Sequence, residues 1–168
     1  QIKWDNVAKP LHSLGKMEDM IADIAAVQAT ADVRLAPRCA LVFCADHGVV
    51  AEGVSQSGQE VTALVARSVA DGSANVNLMA AAAGCDVFAV DMGMISTVTG
   101  TIDCRIDCGT QNMANQPAMT RKQAEEAVQA GSDLVKDMKK RGYQLIATGE
   151  MGIGNTTAST AMACALLG

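Results

Sequence analysis

Aromatic side chains make up only 2% of this 168-residue chain. A core without rings must be built from Ala, Val, Leu, Ile and the ten Met, and such small residues suit helices packed closely on a sheet better than an aromatic-filled sandwich. Cationic excess is missing too. A net charge of −5 and a pI near 4.9 argue against nucleic acid as a partner, because that affinity rests on Lys and Arg against phosphates. No apolar run approaches the ~20 residues that cross a bilayer, so no membrane partner is expected. The opening "QIKWDNVAKP" lacks the apolar centre of a signal peptide, and a soluble, cytoplasmic protein is the expectation. The six cysteines include no C-x-x-C pair, and His12 and His47 are the only histidines, so no metal site is expected. Cys39, Cys44 and Cys85 sit within or beside apolar runs, where a free thiol packs as a small hydrophobe.

What is present alternates between strand and helix patterns. Residues 17–30 place Met17, Met20, Ile21, Ile24 and Val27 on one helical stripe, which reads as a packing helix, and Pro37 marks a boundary. Residues 39–45 are a continuous apolar run, as in a parallel strand buried on both faces. A loop of small polar residues leads to a helix over 60–70, and a second helix follows, closed by Gly84. "CDVFAVDMG" (85–93) repeats the apolar strand, and "GTIDCRIDCG" alternates like an edge strand. Thr120 caps a long helix whose closing Lys139, Lys140 and Arg141 complement the helix dipole. "YQLIATGEMGIGNTT" is a further strand running into a glycine-rich turn, and the chain ends on an apolar helix that reads as a cut within a larger protein. This order predicts an α/β fold with a parallel sheet and right-handed crossovers.

In such sheets ligands bind beyond the carboxyl ends of the strands. Three of those ends carry acids: Asp46 with His47 in "CADHG", Asp91 in "VDMG" and Glu150 in "TGEMG". Each alone could be a turn former, and His47 is as readily a structural histidine as a general base. The stretch from Gly149 to Thr157 holds three glycines, one asparagine and two threonines. It has neither a Walker A lysine nor the G-x-G start of a dinucleotide fingerprint, which speaks against a dinucleotide oxidoreductase. It does suit a phosphate: Gly152, Ile153 and Gly154 let backbone approach an anion, and Asn155, Thr156 and Thr157 add donors at a helix start. The plainer reading is that Asn155 or Thr156 only caps that helix.

Taken in order, "KPLHSLGKME", "CADHGVVAEGVS", "QEVT", "GTQNMANQPAMT" and "GEMGIGNTTAS" resemble the nicotinate-nucleotide–dimethylbenzimidazole phosphoribosyltransferases of cobalamin lower-ligand synthesis, and the likeness covers essentially the whole chain. That resemblance implies a Rossmann-like parallel sheet with flanking helices over residues 37–168, truncated at the C-terminus, and a helical segment over 1–36 belonging to a small second domain. It implies phosphoribosyl transfer from nicotinate mononucleotide to a benzimidazole base, with no metal or cofactor, in a full-length homodimer about twice this length. Residues 152–157 match the family's phosphate-contacting turn, Ser57 matches a residue lining the benzimidazole pocket with Asp46 and His47 as weaker candidates for it, and Glu150 matches the carboxylate near the reacting groups. Two departures stand out: His12 occupies a position where many members have glycine, and the family's principal general base is a glutamate of the C-terminal half. The resemblance therefore implies little turnover by this chain alone. A non-catalytic nucleotide- or base-binding module built on the same turn is the alternative.

Overall fold

The computed structural model describes residues 2–168. Contacts divide the chain into two compact units, Gln1–Leu35 and Ala36–Gly168.

The first unit holds a short helix α1 (Ile2–Asp5) and a longer helix α2 (Lys16–Val27). The helical pattern over 17–30 is therefore realised, ending three residues earlier. Its apolar stripe is covered only in part: Ile21 and Ile24 are half-buried and Met17, Met20 and Val27 are exposed, whereas Glu18 is 1% exposed. The reason is a local ion pair. Glu18 accepts the Leu14 N–H at 3.2 Å and meets Lys9 Nζ at 2.7 Å, and the hydrogen bond from Lys9 holds its carboxyl below the ordinary value. His12 sits in the left-handed region, φ 57°. A side chain there is strained and glycine is not, so the backbone at this position is one that favours glycine.

The second unit is an α/β fold, as the alternation of patterns required. Strands β1 (Arg38–Ala45), β2 (Cys85–Gly93), β3 (Ile102–Asp103) and β4 (Leu145–Met151) are joined by helices α3 (Glu60–Ala70), α4 (Asn75–Ala82) and α5 (Arg121–Lys140), and α6 (Asn155–Leu167) follows β4. The sheet order is β3-β2-β1-β4 with every pair parallel. β1 is central, and its side chains alternate between two cores. Val42 and Cys44 join Ala66, Val69, Ala89 and Met94 on one face, while Cys39 and Leu41 join Val90, Leu134 and Met138 on the other. Burial of side chains such as Leu41 and Met138, each worth about 1.5–3 kcal/mol, is what flanks the sheet with helices on both faces. Burial, reinforced by the charge of Asp91, pushes the Cys44 thiol up to about 11, so it serves as packing.

α5 begins with a complete capping box. Thr120 Oγ1 accepts the Gln123 N–H at 3.2 Å and Gln123 Oε1 accepts the Thr120 N–H at 2.8 Å. β4 is different from the inner strands. It pairs with β1 from Leu145 to Met151, but among the described residues no strand pairs with its other side, and residues 147–150 are exposed.

Candidate functional site

The carboxyl end of β1 is where the fold stops being regular. A bulge sets Ala45 opposite Gly93 directly after Cys44 opposite Asp91, and the chain then turns into Asp46 and His47. Asp46 is 1% exposed and is bound on several sides. Its N–H donates to Gly93 O at 3.0 Å, its carbonyl accepts the Thr110 N–H at 3.0 Å, and its Oδ2 accepts the Ile95 N–H at 2.7 Å. Its Oδ1 has no partner among the described residues. Gly48 donates its N–H to Thr110 Oγ1 at 3.2 Å, and a Cβ there would stand 2.5 Å from Asn112 N. Only glycine lets the 109–119 loop press so closely on the Asp-His-Gly turn.

Asp91 at the end of β2 is fully engaged. Its Oδ1 accepts the N–H groups of Gly93 and Met94 at 3.0 and 2.9 Å, and its Oδ2 pairs with Arg105 at 2.7 Å. It is a turn former held by a cation.

At the end of β4, Glu150 lies opposite Phe43 and its carboxylate accepts a short hydrogen bond from Asn155 Nδ2. Asn155 Oδ1 in turn accepts the Thr156 N–H at 2.7 Å. A single asparagine thus links the strand-end carboxylate to the first turn of α6, where negative charge is favoured by the helix dipole. The glycines of this turn face the protein itself. A Cβ on Gly152 would stand 2.2 Å from Ala45 O and 3.0 Å from the His47 ring, and Gly154, at φ 88°, lies against Val49 and Val50. Ile153 donates its N–H to Thr62 Oγ1 at 3.1 Å, and Thr62 is fully buried on α3. The turn is therefore clamped to β1 and α3. Thr156 is exposed and Thr157 half-buried.

His47 stands between the two strand ends. Burial pushes its imidazole below the ordinary value, and the negative charges of Glu150 and then Asp46 oppose that shift. Its carbonyl accepts Gln59 Nε2 at 3.0 Å, which ties down the loop carrying Ser57. Ser57 itself is exposed, with its N–H on Ser55 Oγ at 3.2 Å. So Glu150, Asn155, Gly152, Gly154 and His47 form one contiguous group joined to Asp46, and Ser57 lies in the adjoining loop.

Two cavities flank His47. One, of about 150 Å³, is lined by Asp46, Met92, Ile106, Met119 and Gln123 among others. The second, of about 300 Å³, lies between Val49, Met113 and the Ala158, Ala161 and Met162 face of α6. His47, Thr110, Gln111, Ala118 and Met119 line both. Ser57 lines neither. Thr110, Gln111 and Met119 do not stand out in the sequence as site residues. Their signal is the segment "GTQNMANQPAMT", whose glycine and proline mark a loop without saying where it packs.

A phosphoribosyltransferase family model matches residues 1–168. The nicotinate-nucleotide–dimethylbenzimidazole phosphoribosyltransferase of Geobacter metallireducens is 42% identical over 171 residues, which covers 100% of this chain and 48% of that protein. The protein of the same name from Thermus thermophilus is 39% identical, covering 100% and 51%. A crystal structure of the Thermus thermophilus protein superposes with a TM-score of 0.92 at 39% identity, over 99% of this chain and 51% of that one. The chain spans about half the length of the curated relatives it matches.

Proposed function

Because the chain belongs to the phosphoribosyltransferase family, we propose that, as part of a longer protein, it contributes to phosphoribosyl transfer from nicotinate mononucleotide to 5,6-dimethylbenzimidazole, giving α-ribazole 5′-phosphate and nicotinate. The observation that carries this reading is the link from Glu150 through Asn155 to the start of α6. Residues 152–157 receive the 5′-phosphate at the helix N-terminus, where backbone N–H groups and the dipole favour an anion. Glu150, at the strand end before the turn, faces the ribose. Positive charge develops at C1′ as the bond to nicotinate breaks, and a fixed carboxylate stabilises it there. The nitrogen base lies on the Ser57, Asp46 and His47 side of the same edge. The principal general base belongs to a segment outside this chain, so the chain alone turns over little. Residues 1–36 form part of a small second domain, and the full-length protein works as a cytoplasmic homodimer on small molecules.

Titration of the chain with nicotinate mononucleotide, followed by amide NMR, tests the phosphate assignment. Shifts should concentrate at residues 152–157, and nicotinate riboside, which lacks the phosphate, should bind at least about 10-fold more weakly, about 1.4 kcal/mol. Glu150→Gln should keep the affinity for the mononucleotide while lowering turnover of the full-length protein. Equal binding of the riboside would remove the phosphate site from this turn.

A further inference from the structure

α3 begins where two strand ends come together, and its first turn commits two side chains to them. Gln59 stands at the N-cap position, yet its side chain makes no cap hydrogen bond to its own helix. Its Nε2 donates instead to the His47 carbonyl at 3.0 Å. Three residues on, Thr62 is fully buried, and its Oγ1 accepts the Ile153 N–H at 3.1 Å. The Thr62 N–H donates to the Gln59 carbonyl at 3.0 Å, so both side chains belong to one helical turn. That single turn holds the chain leaving β1 and the chain leaving β4. The helix is itself fixed to the sheet: Ala66 and Val69 are buried with Val42 and Cys44, and Met151 at the end of β4 packs on the same cluster.

Ile153 lies between Gly152 and Gly154, in the turn assigned above to the phosphate. Its N–H is spent on a buried hydroxyl, so it fixes which way the flanking peptides face instead of meeting an anion itself. On the other side Gly152 is pressed against Ala45 O and the His47 ring, and the turn is gripped from β1 and α3 together. A buried hydrogen bond of this kind is costly to leave half made. We propose that Thr62 is a positioning residue, which aims the 152–157 turn at the phosphate through Ile153, and that Gln59 does the same for the His47 turn. The first turn of α3 thereby sets the spacing between the two halves of the site. This inference rests on the transfer reading above and deepens it by assigning roles to two residues of α3. A hydroxyl that merely completed the core would affect stability and nothing else.

The test is steady-state kinetics of the full-length protein with nicotinate mononucleotide and 5,6-dimethylbenzimidazole. Thr62→Val keeps the side-chain shape and removes the acceptor. The KM for the mononucleotide should rise at least about 5-fold with kcat held within about 2-fold, because a grip on the phosphate acts equally before and during transfer. Thr62→Ser retains the hydroxyl and should restore the KM. Val69→Ala loosens the same helix from its buried face without touching either turn, so it should lower the denaturant midpoint and leave both KM values unchanged. Gln59→Leu, at a half-buried position, removes the donor to His47 and should raise the KM for the base while sparing that for the mononucleotide. It keeps the proposal testable if Thr62→Val fails to fold. An unchanged mononucleotide KM in Thr62→Val, an equal rise in Val69→Ala, or an unchanged base KM in Gln59→Leu overturns the positioning role, while wild-type turnover leaves the transfer reading intact. A wild-type protein that transfers no phosphoribose overturns that reading, and the roles of both residues with it.

Discussion

At the scale of single residues, His47 and Glu150 have their roles set by what surrounds them. The imidazole packs against Gly152 and is half-buried, so its neutral form is favoured, and Glu150 partly restores the charged form. Two consequences have definite signs. Removing the negative charge with Glu150→Gln should lower the His47 pKa further, read as a lower midpoint in the NMR titration of its ring protons; an unchanged midpoint would mean that the two groups do not interact. Linkage gives the second consequence. A histidine whose folded pKa is depressed stabilises the fold fully above its unfolded value, about 6.5, and that contribution is lost as pH falls from there toward the folded value. His47→Gln should therefore flatten the denaturant midpoint between pH 7.5 and 5.5 relative to wild type. The sequence brings His47 and Glu150 forward as strand-end residues and, through the family resemblance, as candidate site residues, but not as neighbours. Their proximity depends on β4 pairing with β1 in parallel register, Phe43 opposite Glu150, which no local pattern encodes. The same holds for the glycines. Their crowding suggests backbone approach to a ligand, and the close approach in the structure is to Ala45 O and the His47 ring.

At the scale of elements, legibility follows local chemistry. β1, β2, α3 and the start of α5 carry their bounds in the sequence, because apolar runs, a helical period and the Thr120 cap are all short-range signals. β3 shrinks to Ile102–Asp103, pairing only with Val90 and Asp91, because the chain turns away directly after it: Asp103 Oδ1 accepts the Arg105 N–H and the Arg105 side chain pairs with Asp91. The stripe on α2 misleads for a related reason: periodicity reports what could be buried, and the Lys9–Glu18 pair decides what is. The capping box offers an energetic test. Thr120→Ala removes the side-chain acceptor for the Gln123 N–H and should cost about 1 kcal/mol, within the 0.5–2 kcal/mol span of such caps. Gln123 also donates to Asp107 at 2.7 Å, so hydrogen exchange should quicken in the first turn of α5 and at the 107–110 segment together. Faster exchange in the helix alone would mean that the cap is decoupled from the cavity wall.

At the scale of the molecule, the outer edge of β4 and the whole of α6 share one property: they bury little. Every residue from Ser159 to Gly168 is exposed, with Met162 at 64%, Leu166 at 77% and Leu167 at 85%, and α6 carries no charged side chain. An open strand edge beside an uncharged apolar helix is a combination that soluble folds usually cover or blunt with charge. The superposition on the Thermus thermophilus structure engages only 51% of that chain, so a protein of this kind has as much again with which to cover such a face. With the 168 residues alone, the exposed leucines should seek one another. Sedimentation velocity should show concentration-dependent association, and Leu166→Lys with Leu167→Glu should weaken it. Each leucine is worth about 1.5–3 kcal/mol when fully buried, so losing even one buried side chain per contact corresponds to at least about a 10-fold rise in dissociation constant. A chain that stays monomeric at high concentration, or a double variant that associates as strongly as wild type, would show that this face is not what drives contact. The distinction matters for the site as well, because Met162 and Ala158 also line the second cavity beside His47. Any partner laid on α6, whether a second copy or a further part of a longer protein, would wall that cavity and set how the glycine turn meets its ligand.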